Sequence, residues 1–351
     1  VLASYVLAEM PLAGIADVSP TRYAAELRAW LDAGRHGTMS YLSEQLGERL
    51  DPQRVLSSAR SVVMVADRYA GREPDVPLAP GRGRIARYAR GRDYHGVIKK
   101  RLHTLSDELR LKFPGARFRS FADTAPVLER EYAARAGIGW VGKHTLVINP
   151  RQGSYLLLGG VLTSLDLQPS TEQRETPDHC GTCTRCIDAC PTGAITPYSV
   201  DGSKCISYLT IERREPIDSA FHEPIGSWIF GCDVCQEVCP HNAARGGPAL
   251  PEVLPAYTQR RDSFDLLAVL GWNEENRRRD CQTSALKRAT LEMMKRNAII
   301  VAGNAIKRGI RPHLADALLD RLRELAADRR ETPLVRSTAA AVHRIASGRG
   351  D

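Results

Sequence analysis

Residues 180 to 240 decide the reading of this chain. They contain Cys180-Gly181-Thr182-Cys183-Thr184-Arg185-Cys186-Ile187-Asp188-Ala189-Cys190-Pro191, then Cys205, then Cys232-Asp233-Val234-Cys235-Gln236-Glu237-Val238-Cys239-Pro240. An x2, x2, x3 spacing that ends in Cys-Pro is the pattern with which bacterial ferredoxins wrap a four-iron four-sulfur cluster, the last cysteine reaching to a second cluster. Counting four thiolates to each cube assigns Cys180, Cys183, Cys186 and Cys239 to one cluster, and Cys190, Cys205, Cys232 and Cys235 to the other. A zinc ribbon accounts for one pair of Cys-x2-Cys units, but not for three consecutive spacings or for two Cys-Pro endings. The ninth cysteine, Cys281, lies in a helical stretch and reads as a bystander.

Composition bounds the rest. The chain has 351 residues, 43% hydrophobic and 26% charged, which excludes a disordered or fibrous protein. No apolar run approaches the roughly 20 residues that a membrane helix needs, so no membrane partner is expected. The apolar start, Val1 to Met10, has no basic n-region and no small-residue cleavage pattern. Clustered cysteines then point to metal or redox chemistry in a reducing, cytoplasmic setting. The net charge of +8 is uneven: residues 180–240 carry −4 and the remainder +12.

Three parts are expected. Residues 1–170 read as a mixed α/β (or α+β) domain, with short strands at Ser61–Ala66, Arg117–Phe121, His144–Asn149 and Tyr155–Thr163. Helical spacing covers Tyr94–Leu111 and Ala125–Ala136, and the Pro- and Gly-rich run Gly71–Gly83 must be a loop. Residues 171–245 form a ferredoxin-like module entered through the linker Gln168–Pro177, and residues 246–351 are helical. In the helical part Met294–Ala302 and Leu334–Val342 resemble one another, with Arg296 and Arg336 in register 40 residues apart. That spacing fits a HEAT-like repeat, although a plain helical bundle meets the same criteria.

Clusters pass single electrons, so the large front domain is expected to hold the group that receives them. Asp123 ends a predicted strand and precedes a predicted helix, a position where α/β proteins place functional groups. Taken alone it reads more readily as a helix N-cap. The loop Gly137-x-Gly139-x-x-Gly142 permits close backbone approach to a large ligand, yet it lacks the acidic ribose residue of a nicotinamide site and alone reads as a turn.

Several strings together resemble the epoxyqueuosine reductase family. They are Asp123-Thr-Ala-Pro-Val-Leu-Glu129-Arg130, Ala136-Gly-Ile-Gly-Trp-Val-Gly-Lys-His-Thr145, Ala86-Arg-Tyr-Ala-Arg-Gly-Arg-Asp-Tyr-His95, Cys205-Ile-Ser-Tyr-Leu-Thr210 and Ile229–Pro240. The likeness runs in order from about His36 to about Asn304. It implies reduction of the epoxide of epoxyqueuosine to queuosine at the tRNA wobble position, the last step of queuosine biosynthesis. It also implies a cobalamin in the front domain beside the two clusters. Asp123 matches the family's proton donor, and Arg49, Ala86, Ser207 and Asp233 fall where the family approaches the corrin. Gly139, Trp140, Lys143 and Val234 complete the cofactor-binding set implied. Reducing an epoxide needs electrons and a proton, and a carboxyl whose pKa is raised by burial could supply the proton. A related cobalamin and iron–sulfur reductase acting on a small molecule, in the manner of reductive dehalogenases, is the alternative; a non-catalytic electron carrier is a more distant one.

The implied partners are a tRNA anticodon stem-loop and an external one-electron donor, and nothing demands more than a monomer. Arg82 to Arg101 holds eight basic residues and one acid, with Tyr88 and Tyr94 interleaved. This mix suits phosphate neutralisation and base stacking, or equally a salt-bridged helix face. Arg213, beside Arg214, and Arg296 are the expected tRNA contacts, within a helical part that also carries Arg277–Arg279 and Lys307-Arg308.

Overall fold

The structure is a computed structural model and describes residues 10, 12–243, 250 and 252–348. Most of the chain start and the expected boundary at 245/246 lie outside the described residues.

A four-stranded antiparallel sheet organises the front half. Its strands are β1 (Leu12–Asp17), β2 (Ser61–Arg68), β3 (Phe118–Phe121) and β4 (Leu156–Thr163), in the order β1-β2-β4-β3. The run Ser-Val-Val-Met-Val-Ala of β2 is buried on both faces, which is why it is continuously apolar rather than alternating. Val63 and Val65 face α1 (Tyr94–Lys112), whose Ile98, Leu102, Leu105 and Leu109 recur at helical spacing. Val62, Met64 and Ala66 face α2 (Glu129–Arg135) through Tyr132 and Ala133. Each such buried aliphatic side chain contributes ~1.5–3 kcal/mol. Gly160 of β4 is required by close approach: a Cβ there would lie 2.7 Å from the carbonyl oxygen of Val63 and 2.6 Å from the Phe121 ring.

The expected strands at 61–66, 117–121 and 155–163 are present, whereas 144–149 contributes only the two-residue strand Val147–Ile148. Helix α2 begins at Glu129 rather than Ala125, since Pro126 and the turns around it hold residues 123–127 out of the helix.

A second, small sheet crosses the expected division into three parts. Arg82–Ile85 lies at its centre, paired parallel with Trp228–Phe230 and antiparallel with Ser263–Asp265. One apolar core continues the join: Ile85, Ala86 and Ala89 pack with Leu209, Ile229 and Phe230 and with Leu266, Val269 and Ile299. The cysteine region is therefore held between segments that precede and follow it.

The last three helices are α4 (Leu291–Lys307), α5 (Pro312–Ala327) and α6 (Pro333–Ala346), with α3 (Ile206–Ile211) in the cysteine region. The two similar segments fall on α4 and α6. Both helices open on a threonine: Thr290 accepts from the Met293 N–H and Thr332 from that of Val335.

Candidate functional site

The two cysteine runs adopt the same local form. Cys186 sits in the helical turn Arg185–Asp188 and Cys235 in the turn Val234–Glu237, and Cys205 stands at the N-terminus of α3. All nine thiols are unpaired. Burial raises the Cys239 thiol, and the neighbours acting on it are Cys180, Cys186 and Cys183. Burial also raises Cys232, with Cys205 and Cys190 acting on it, and Cys235, with Cys232 and Cys205. Cys186 of the first run acts on Cys235 as well, so the two runs of thiols lie side by side in one region. Such groups stay protonated unless a cationic centre stabilises their thiolates, as an iron–sulfur cube does. Among the described residues no three His, Cys, Asp or Glu side chains converge on a single ion; a four-iron cube holds its thiolates farther apart than one ion does. Cys281 is fully buried in the apolar core, where burial pushes its thiol up to about 11.

The glycine-rich loop serves the first group. Gly139 approaches the backbone of Ile148 so closely that a Cβ would lie 2.2 Å from its carbonyl oxygen. Trp140, 3% exposed, packs against Cys180 and Cys239 and is met edge-on by His179 and His241 at 5.0 and 4.8 Å. Its buried indole N–H has no partner among the described residues, which fits a sulfide or thiolate acceptor. Lys143 donates from Nζ to the carbonyls of Gly181 (2.6 Å) and Cys183 (3.1 Å). Trp140 and Lys143 thus lie against the first cysteine run.

Asp123 is not a helix cap: four residues separate it from the N-cap Leu128. It takes a left-handed backbone with φ of 58°, which an aspartate tolerates better than most residues. Its Oδ2 accepts from the Tyr94 hydroxyl (2.9 Å) and from His95 Nε2 (2.9 Å), while its own N–H donates to Glu129 Oε1 (2.5 Å). On the far side of the ring, His95 Nδ1 donates to Asp93 Oδ1 at 2.7 Å, and Lys287 pairs with the other Asp93 oxygen. The Asp123 side chain is 59% exposed and that of Asp93 only 12%.

The electrostatics correct one expectation. Burial pushes the Asp123 carboxyl up, but the hydrogen bond and charge of His95, the Tyr94 hydroxyl and Arg130 outweigh it and leave the pKa below its ordinary value. Burial likewise works against a charged His95, yet its two carboxylate partners raise it to about 9. Glu129 is pushed up to about 8, by burial and then by the Asp123 charge. At neutral pH the mobile protons reside on His95 and Glu129, with Asp123 an anion between them.

Other expected cofactor contacts differ in accessibility. Arg49 is buried against Tyr41, its guanidinium carbon 6.0 Å from the ring centroid, and its Nε has no partner among the described residues. A buried guanidinium with an open donor fits an acceptor group of a large ligand. Ser207 and Val234 are partly exposed. Ala86 presents no surface, because its N–H bonds to the Phe230 carbonyl and Gly231 lies over its side chain. Asp233 is 2% exposed and accepts from the Arg87 N–H at 2.6 Å; burial pushes its carboxyl to about 6. These two brace the loops rather than face an open site.

Of the two readings of the basic stretch, the salt-bridged one describes most of its arginines. Arg90 forms a fork with Asp75 at 2.5 and 2.9 Å, Arg87 donates to the carbonyls of Gly71 and Glu73, Arg101 pairs with Asp67, and Arg84 with Glu237. These arginines fasten the Gly71–Gly83 loop and the sheets, leaving Arg92 and Lys100 exposed. Arg213 is half-buried and donates from Nε to the Pro216 carbonyl. Arg296, expected to touch RNA, is fully buried: it donates to the carbonyls of Leu209, Arg213 and Glu215. It therefore shapes the loop that carries Arg213 and Arg214. Arg296→Ala should lower stability by ~3–5 kcal/mol, because three buried carbonyls lose their donor. A thermal melt reads this; an unchanged Tm with weakened tRNA binding would restore the contact role.

His95, Asp93 and Glu129 were not singled out from the sequence, and Tyr94 was noted only as an aromatic suited to base stacking. The signal available was Asp93-x-His95 at the start of a helix, inside the basic stretch.

A double four-iron module joined to an α/β domain with an acid–imidazole pair defines an iron–sulfur oxidoreductase. Residues 179–242 match the model of the 4Fe-4S double cluster binding domain, and residues 49–124 that of epoxyqueuosine reductase QueG, DUF1730. The epoxyqueuosine reductase of Leadbetterella byssophila is 41% identical over 281 residues, covering 79% of this chain and 89% of the relative. That of Pseudomonas aeruginosa is 37% identical over 298 residues, covering 83% and 81%. Among solved structures, an epoxyqueuosine reductase with a tRNA-Tyr epoxyqueuosine-modified stem loop superposes with a TM-score of 0.85 at 27% identity, covering 98% of this chain and 89% of that one. The Bacillus subtilis enzyme, with its catalytic aspartate loop swung out of the active site, gives 0.83 at 28% identity, covering 97% and 88%. This chain belongs to the epoxyqueuosine reductase family. No described helix is long and apolar enough to cross a membrane.

Proposed function

We infer that this chain reduces epoxyqueuosine to queuosine in tRNA. The observation that carries the reading is the union of two groups of four thiols with an accessible carboxylate, Asp123, held by His95 and Tyr94. The first supplies electrons singly, and the second supplies protons to an oxygen that leaves carbon. Membership of a family with relatives up to 41% identical favours this substrate over the small-molecule alternative.

The cofactor between them, on this reading, is cobalamin, which when bound supplies a cobalt centre able to collect single electrons and act as a strong nucleophile. Arg49, with its open Nε, and the partly exposed Ser207 and Val234 would hold it. Asp123 orients the epoxide oxygen and gives it a proton. The crossed cysteine groups carry electrons inward from an external one-electron donor. The wobble nucleoside is splayed from its loop to reach Asp123, which single-stranded RNA allows at low cost.

Arg213 and the exposed Arg214 are the tRNA contacts of this reading, and α4 to α6 form a HEAT-like surface along which the stem lies. The working form is a monomer in the cytoplasm. Stem-loop affinity should fall steeply with salt, about 10-fold or more between 50 and 200 mM; a flat response in a filter-binding titration would contradict phosphate contacts. The activity itself is tested with anaerobic, reduced protein and added cobalamin acting on epoxyqueuosine-containing tRNA. Nucleoside mass spectrometry should show queuosine; epoxyqueuosine left intact by fully loaded protein would reject the reading.

A further inference from the structure

We propose that His95 is the proton reservoir of this site, sharing one mobile proton with Asp123 through Nε2 while the Asp93–Lys287 pair fixes the proton on Nδ1. The inference rests on the reading of Asp123 as the group that protonates the epoxide oxygen. Three carboxyl groups converge here. Asp93 and Asp123 take the two ring nitrogens of His95 at 2.7 and 2.9 Å, and Glu129 takes the Asp123 N–H at 2.5 Å. Tyr94 stacks on the imidazole with ring centroids 4.0 Å apart and donates its hydroxyl to Asp123. The ring is thereby held on both faces of its function, one nitrogen anchored and the other aimed at the carboxylate.

The anchoring decides which proton moves. Asp93 is kept anionic by its hydrogen bonds to His95 and Lys287, against the effect of burial. It therefore remains an acceptor for Nδ1–H whether His95 is charged or neutral. When the imidazolium gives up a proton it does so at Nε2, to Oδ2 of Asp123. Converting an epoxide to an alkene and water takes up two electrons and two protons. The first proton forms the O–H bond as the carbon–oxygen bond opens, and the second completes water. Electrons come from the external donor through the clusters, and both protons pass through Asp123. A carboxyl of lowered pKa holds no proton at neutral pH, so it needs a neighbour that does. His95, at about 9, is that neighbour. After each transfer Nε2 regains a proton from solvent, to which Asp123 is open.

The charges around the pair are mixed. Arg130 and, farther off, Arg49 and Arg288 act on Asp123 to keep it ionised, whereas Glu129 opposes them. The shared proton is lost only as pH rises through the His95 value. Single turnover of the loaded enzyme on an epoxyqueuosine stem-loop should therefore be level through neutrality and fall above about pH 9. His95→Gln keeps an N–H toward Asp123 but cannot ionise. Its alkaline fall should move below about pH 6, giving a loss on the order of 100-fold or more at pH 8. Its cluster EPR signals and cobalamin absorption should match the wild type. Asp93→Asn, which removes the anchoring charge, should move the fall the same way by about one pH unit.

An alkaline limb unchanged in both variants would overturn the proposal. So would a limb that Glu129→Gln alone abolishes, since the reservoir would then be Glu129. If His95→Gln loses its clusters, Asp93→Asn decides by the same criterion. Wild-type protein inactive at every pH would reject the functional reading instead, an outcome distinct from either limb result.

Discussion

Asp123→Asn should bind both clusters and cobalamin at wild-type levels and lose turnover by about 10²- to 10⁴-fold, the range of a general acid. The substitution is a clean probe because of the backbone. With φ of 58° at Asp123, asparagine is the residue that accepts the same left-handed conformation with least strain. The Tyr94 and His95 hydrogen bonds have an amide oxygen to replace Oδ2, so the loop should keep its place. The variant loses the ability to carry a proton, and His95 loses one of the two charges that raise it. Single-turnover assay with nucleoside mass spectrometry measures the first effect, and optical spectra of the loaded protein verify the cofactors. A rate within a few-fold of wild type would remove the acid role from Asp123.

The second large effect is on iron. Cys232→Ser should lower chemically determined iron from about eight to about four per fully loaded chain and abolish turnover. It should leave the EPR signature of the cluster held by Cys180, Cys183, Cys186 and Cys239. On the spacing assignment each cube takes its own four thiolates, so losing one ligand empties one site. Cys281→Ser, in the apolar core, is the control: it should change neither iron content nor activity. About four irons in the wild type would contradict two clusters outright.

The double-cluster module was legible in the sequence because cube geometry imposes short, fixed spacings that survive as text. The strands at 61–66 and 155–163 were legible because burial on both faces demands unbroken apolar runs. Asp123 was legible as a residue but not in its state: its pKa depends on His95 and Tyr94, 28 and 29 positions away and brought to it by the packing of α1 against the sheet. The arginines of 82–101 show what charge density leaves undecided. Charge density alone left an RNA surface and a salt-bridged face equally open, and Arg87 and Arg90 find partners in Gly71, Glu73 and Asp75, inside a loop whose path no local pattern reveals. Arg296 misled for the same reason, since only the fold places three carbonyls around it.

The small sheet around Arg82–Ile85 has a consequence for how the enzyme is made. On the ribosome, this strand emerges long before Trp228–Phe230 and Ser263–Asp265, the two segments that complete its hydrogen bonds. Cys205 and Cys232 belong to the region that those pairings close around. The core against which these two cysteines pack is thus completed only once residues 263–265 and the helices after them have been made.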